Sequence, residues 1–241
     1  MTSTLSIDIG GSGLKASVLD DAGQFLVPPV RVPTPNPVDP SLLLATLAQL
    51  VAPLPRWDRI SVGFPGVVRH GVVRAAANLG TEAFRGFDLA AGLADVLGAP
   101  TRVANDSEVQ GYAAISGKGV EVVVTLGTGF GSSIFSDGRA CAHLELAHHP
   151  FGKKRTYEEA LGEAALDRAG KRKWRRRVRR AIEQLRVLTD FDHLYIGGGN
   201  ARVLHADELE SDVSVVDNRD GILGGIHLWQ PETPPTERRT A

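Results

Sequence analysis

The sequence predicts an α/β protein of two similarly built domains with a cleft between them, on three observations. Short alternating apolar runs that read as strands are interleaved with longer stretches that read as helices. Glycine-rich turns close several of the strands. One succession of strand, glycine turn, strand, Asp/Gly turn and strand occurs twice, about half a chain apart.

In order, Leu5, Ile7 and Ile9 alternate as a first strand, and the turn at Gly10, Gly11 and Gly13 leads into Leu14, Ala16 and Val18. Asp20-Asp21-Ala22-Gly23 is a hairpin signal, and a third strand is expected over 25–32, before a proline-rich loop at 33–40. A helix is expected over 41–51, then a strand over 59–64 ending in Pro65-Gly66, a helix over 89–97, and a strand over 101–104 that delivers Asn105-Asp106. The pattern restarts with an apolar run at 122–126, the turn Gly127-Thr128-Gly129-Phe130-Gly131, a strand over 132–135 and the hairpin turn Ser136-Asp137-Gly138. Two long helices are expected over 157–169 and 171–188, a strand over 193–196 running into Gly197-Gly198-Gly199, and a last helix over 221–229. Residues 1–104 with 221–230 are then expected to form an N-terminal domain and 105–220 a C-terminal one. A disordered tail is expected over 231–241.

Composition narrows the function. The chain has 241 residues, 42% hydrophobic and 23% charged, with a formal net charge of -1, so there is no global pull toward nucleic acid or membrane. The single cysteine, Cys141, excludes an intramolecular disulfide and a cysteine-based zinc cluster. No stretch approaches the roughly 18 apolar residues of a membrane span. The chain opens without a basic region followed by an apolar run, so a cytoplasmic location is expected.

Glycine turns after strands present backbone N–H groups with no side chain in the way, as phosphate cradles require. Singly, each is more often a plain hairpin. The P-loop pattern is absent. Gly11, Gly13 and Ala16 fit the dinucleotide fingerprint, but that fingerprint must open a helix, and residues 14–19 alternate as a strand.

The ordered set of motifs resembles the sugar kinases of the ROK family (repressors, open reading frames and kinases). Asp8-Ile9-Gly10-Gly11-Ser12-Gly13-Leu14-Lys15 is similar to the family's first phosphate motif and Leu126-Gly127-Thr128-Gly129-Phe130-Gly131 to its second. Gly197-Gly198-Gly199 is similar to the motif near the adenosine, Asn105-Asp106 to the sugar-binding and catalytic pair, and Glu145-Leu146-Ala147-His148 to the sugar-binding Glu-x-Gly-His. The resemblance runs from residue 5 to about 229 and implies an actin-like ATPase fold, the duplicated ribonuclease H-like architecture.

It also implies roles. Asp106 becomes the catalytic base; its other reading is a helix N-cap. Asp8 would face the phosphates through Mg²⁺ and water, Lys15 would add a point charge, and Gly10, Gly11, Ser12, Gly127, Thr128, Gly129, Gly198 and Gly199 would hold the donor. Asn105, Glu145, His148 and Glu158 would bind sugar, with Asn78 and Gly66 closing the other side. Lys15, Glu158 and Asn78 read equally well as solvated surface.

Two departures stand out. Ala147 replaces the family's glycine, which puts the backbone carrying His148 in doubt. The cysteine-rich zinc motif of many relatives is missing, so no metal site and no zinc are expected despite His143, His148 and His149. That absence resembles the polyphosphate glucokinase branch, as does the run from Lys171 to Arg180, eight basic residues in ten, on a helix whose other face carries Trp174, Val178, Ile182 and Leu185. That basic side reads either as a solvated face or as a polyanion contact. The implied function is a hexose kinase, glucose first, using ATP or polyphosphate with Mg²⁺ on the 6-hydroxyl. The alternatives are a kinase for fructose, mannose or an N-acetylated amino sugar, and a catalytically silent sugar sensor. A homodimer is usual for relatives; neither nucleic acid nor membrane is an expected partner.

Overall fold

A computed structural model describes residues 2–76, 79–216 and 222–230. The first half runs β1 (Thr4–Ile9), β2 (Gly13–Leu19), β3 (Val30–Pro33), α1 (Pro40–Val51), β4 (Arg59–Phe64), β5 (Val67–Arg69), β6 (Val72–Ala75), α2 (Thr81–Phe84), α3 (Leu89–Leu97) and β7 (Thr101–Asn105). Helix α4 (Asp106–Ala114) follows. The second half contains β8 (Val120–Leu126), β9 (Phe130–Ser136), β10 (Arg139–Ala140), α5 (Tyr157–Leu161), α6 (Glu163–Ala169), α7 (Lys171–Thr189), β11 (His193–Gly197) and β12 (Val213–Val215). A 3₁₀ segment at Leu223–Trp229 returns to the first half.

The duplication is visible in the sheets. One has the order β3-β2-β1-β4-β7, the other β10-β9-β8-β11-β12. In each, the first three strands pair antiparallel, the fourth pairs parallel with the first, and the fifth pairs parallel with the fourth. Each sheet has its own apolar core, one built from Leu5, Ile7 and Ile9 with α1 and α3, the other from Val122, Val124 and Leu126 with α5 and α7.

Period-two alternation assigns the faces of β1. Leu5, Ile7 and Ile9 enter the apolar core, while Ser6 turns the other way and donates to the Ile222 carbonyl at 2.6 Å. Its neighbour Ser61 donates to the Gly225 carbonyl at 2.6 Å. The last described segment therefore packs on the polar face of the first sheet and against α4.

Several expectations need correction. The third strand is only Val30–Pro33, with one bridge from Phe25 to Leu19, because Pro28 and Pro29 carry no N–H for a ladder. The hairpin β5–β6 was not expected; its turn places both His70 (φ 52°) and Gly71 (φ 80°) in the left-handed region. β12 was not expected either. The helix expected over 157–169 is two helices broken at Gly162, whose ψ of 170° is extended. The last helix is 3₁₀ rather than α, and consecutive glycines, Gly224 and Gly225, weaken its α preference. Asn78, Gly221 and the expected tail at 231–241 lie outside the described residues.

Candidate active site

One row of residues crosses the first sheet. Arg31, Lys15, Asp8 and Gly63 are consecutive partners on β3, β2, β1 and β4. The register brings Lys15 Nζ to 3.6 Å from Asp8 Oδ2, and the pair is mostly buried. Burial pushes the Asp8 carboxyl up, against the lowering influence of Lys15 and Arg31. Beyond Asp8, the turn into β2 is tight: Gly10 N–H donates to Gly13 O at 2.9 Å, and a Cβ on Gly10 would lie 2.9 Å from that same oxygen.

Gly63, beside Asp8, has no side chain, and α4 uses the space. A Cβ there would lie 3.3 Å from Asp106 Cα. Asn105 caps α4, accepting from Ser107 N–H at 2.9 Å, while its Nδ2 donates to Gly66 O at 3.0 Å. Its Oδ1 also accepts from Ser107 Oγ, so the amide is largely committed to backbone and Ser107. Asn105 thus positions the Gly66 loop and the start of α4, with little capacity left for a sugar hydroxyl.

Asp106 is the first residue of the helix, with one oxygen 2.9 Å from Ser107 N–H. Burial and then the Asp8 charge push its carboxyl up to about 7; the Ser107 N–H opposes this, Glu145 adds to it, and His143 opposes it. Asn105 takes the capping role, and the second Asp106 oxygen is left without a partner among the described residues.

The second glycine turn, between β8 and β9, is held from behind. Glu163 N–H donates to Gly127 O at 2.9 Å, Asn200 Nδ2 donates to Gly127 O at 3.0 Å, and a Cβ on Gly162 would lie 2.8 Å from Thr128 O. The break between α5 and α6 is what lets the chain approach this turn. Gly198, at φ 89°, lies against the Leu126 backbone so closely that any side chain would overlap it.

Glu145 precedes a 3₁₀ turn, Leu146–His148. His143 Nε2 lies 3.3 Å from Glu145 Oε2. Ala147 has no left-handed φ and its methyl is buried in the second core, so alanine is accommodated without strain. A capping box between Thr156 and Glu159 sets the start of α5 and with it the place of Glu158.

These residues converge on one cleft of ≈ 290 Å³. Asp8, Gly10, Gly11, Ser12 and Lys15 line it from the first sheet, and Gly127, Thr128, Gly129, Gly198 and Gly199 from the second. Asn105, Asp106, Gly66, Glu145, His148 and Glu158 line the region between. Every expected site residue except Asn78, which lies outside the described residues, is part of this wall.

Arg31 and Gln110 line it too, and sequence reading missed both. Arg31 was legible as the cross-strand partner of Lys15 once β3 was placed, and Gln110 as one helical turn beyond Asp106. Among the described residues, no three His, Cys, Asp or Glu side chains are grouped to hold a metal. Asp8 suits the alternative, since Mg²⁺ takes one or two carboxylates and fills its shell with waters and substrate phosphates.

Comparison with known proteins agrees with the motif order. The family model described as "ROK family" matches residues 4–149. The chain is 32% identical over 239 residues to a polyphosphate glucokinase of Mycobacterium tuberculosis, covering 90% of this chain and 88% of that one. Its fold is similar to the inorganic polyphosphate/ATP-glucomannokinase of Arthrobacter sp. strain KM, with a TM-score of 0.84, 30% identity, and coverage of 94% and 98%. It is also similar in fold to a ROK family glucokinase from Streptomyces griseus solved with glucose and AMPPNP, with a TM-score of 0.75, 19% identity, and coverage of 94% and 98%.

Proposed function

The chain belongs to the ROK family, and we propose that it is a hexose kinase, glucose first, that transfers a phosphoryl group from ATP or polyphosphate to the sugar 6-hydroxyl. The observation that carries this reading is the position of Asp106: a half-buried carboxylate with one free oxygen, in a cleft lined by both glycine turns.

In the reaction, the 6-hydroxyl oxygen attacks the terminal phosphorus, its proton passes to Asp106, and the bond from phosphorus to the donor's bridging oxygen breaks. The backbone N–H groups of the Gly10–Gly13 and Gly127–Gly129 turns receive the phosphate oxygens. Lys15 adds positive charge on the first side, and Arg31 beside it on β3 extends that charge. Glu145, His148 and Glu158 supply the acceptors and donors that fix the sugar hydroxyls. Asn105 acts through the loop it ties to α4. Bound Mg²⁺ would neutralise the phosphate charge, with Asp8 holding it through water.

The intact carboxylate pair and both phosphate turns argue against a silent sugar sensor. The test is a coupled assay of the purified protein across glucose, mannose, fructose and N-acetylated amino sugars, with both donors. Glucose should give the highest kcat/KM with at least one donor, and no turnover of any sugar with either donor would overturn the reading. We further propose a homodimer, to be read from the mass in solution by light scattering, and activity that survives chelation once Mg²⁺ is restored.

A further inference from the structure

We infer that a second anion site lies beside the cleft: a basic groove between residues 151–155 and α7 that binds the trailing phosphates of inorganic polyphosphate. The choice of polymer rests on the kinase reading above; the groove itself does not.

The groove has a volume of ≈ 590 Å³ and is lined by Phe151, Gly152 and seven cationic side chains. Lys153, Lys154 and Arg155 come from the loop, and Lys173, Arg176, Arg177 and Arg180 from α7. The four helical residues follow the spacing i, i+3, i+4 and i+7, which is one face of a helix. No acidic or neutral hydrogen-bonding side chain lines the groove, so its walls offer side-chain donors and no acceptors.

The rest of the basic run is used differently. Arg179 pairs with Glu208, and Arg186 with Glu210 and Asp212, on the flank of α7 that meets the 206–213 segment. None of the seven groove cations has an ion-pair partner among the described residues. Burial first, and then the charges of Arg155 in the groove and of Arg168 outside it, push Arg177 below the usual arginine range. A dense cluster of like charge of this kind favours an occupant that is itself a line of negative charge.

Nucleic acid fits poorly. The one aromatic ring in the lining, Phe151, is buried beneath Arg180, whose guanidinium lies 5.2 Å from the ring centre, so no face is open for a base to stack on. Polyphosphate carries only anionic oxygens and asks for nothing else. The groove also adjoins the chemistry. His148 and Glu158 line the cleft, and the segment between them forms the lip of the groove. The Tyr157 ring packs on Phe151 at 5.2 Å, and Trp174 Nε1 of α7 donates to Leu161 O of α5 at 2.9 Å, so groove and cleft share one rigid wall.

The test compares the parent with the triple variant Lys154→Gln, Lys173→Gln, Arg176→Gln, whose side chains are exposed; Arg177 and Arg180 are kept because they hold Ala160 O and Phe151. Labelled long-chain polyphosphate is titrated by fluorescence anisotropy at several salt concentrations, without sugar. The dissociation constant should rise at least tenfold, and the slope of log affinity against log salt should fall by about one per removed contact. KM and kcat with ATP should stay within twofold, and Arg175→Gln with Arg179→Gln should bind polyphosphate like the parent. Should ATP turnover of the triple variant fall, Lys154→Gln alone is read by the same titration and must still weaken binding. Equal loss in the two multiple variants, no salt-sensitive binding by the parent, or equal competition by single-stranded DNA of matched charge would overturn the inference. Because the titration involves no turnover, a protein that phosphorylates no sugar would sink the kinase reading and leave this result standing on its own.

Discussion

The Asp8 charge disfavours ionisation of Asp106, and burial raises both carboxyls. A base must be ionised to accept the hydroxyl proton. With its carboxyl raised to about 7, Asp106 is increasingly protonated as the pH falls through neutrality. We therefore expect kcat/KM to show an acid limb near pH 7, falling about tenfold per unit below it. Asp8→Asn removes the second-largest upward influence, so the limb should move to lower pH even as the rate drops through loss of the carboxylate proposed to hold Mg²⁺. A limb that stays in place, measured from pH 5 to 9, would show that Asp106 is not the titrating group. Asp106→Asn should lower kcat by about 10²–10⁴-fold while sugar affinity stays within a few-fold, because the amide keeps the shape but cannot take the proton. Activity within about threefold of the parent would reject the assignment.

The break between α5 and α6 is the clearest case of an element shaped by the site. Gly162 leaves the helical path so that Glu163 N–H reaches the Gly127 carbonyl, which fixes the back of the second glycine turn. Gly162→Ala would put a methyl 2.8 Å from Thr128 O and 3.0 Å from Glu158 O. Relieving that contact must move either the turn or the start of α5. Overpacking of this kind costs about 1–3 kcal/mol, which corresponds to about 2–4 °C of Tm per kcal/mol at this chain length. The expected signature is a lowered Tm with a raised KM for ATP. An unchanged Tm together with an unchanged KM for both substrates would show that the break has no part in holding the turn.

At the scale of the molecule, α4 and the Leu223–Trp229 segment join the halves. α4 packs against strands of both sheets, and the segment packs on α4 and on β1, β4 and β7. Two glycines permit this. A side chain on Gly224 would overlap the Val109 carbonyl of α4, and one on Gly225 the Ser6 hydroxyl. Trp229 Nε1 donates to Ser61 Oγ at 2.9 Å, and its ring lies under Arg102 at 4.6 Å. Gly224→Ala should lift the segment, cost about 1–3 kcal/mol, and shift the Trp229 contribution to fluorescence toward that of a more exposed indole. Identical Tm and emission in the variant and parent would contradict this packing.

What the sequence determined by itself was local and ordered. The alternation of Leu5, Ile7 and Ile9, the two glycine turns and their Asp/Gly hairpins, and the paired Asn105-Asp106 were legible because strand period, turn chemistry and motif order are written within a few residues. The duplicated sheet plan followed from their repetition. What only the tertiary structure decided were the relations between distant residues: Asn105 as the cap and Asp106 as the free carboxylate, the row from Arg31 through Lys15 to Asp8, and the interruption of a sound helical pattern at Gly162. It also divided the basic helix into a flank paired with Glu208, Glu210 and Asp212 and a flank facing Lys153, Lys154 and Arg155. The physical reason is the same in each case. Local propensity sets which conformation a segment can adopt, whereas burial, register and the charge of a neighbour far along the chain set what its side chains do.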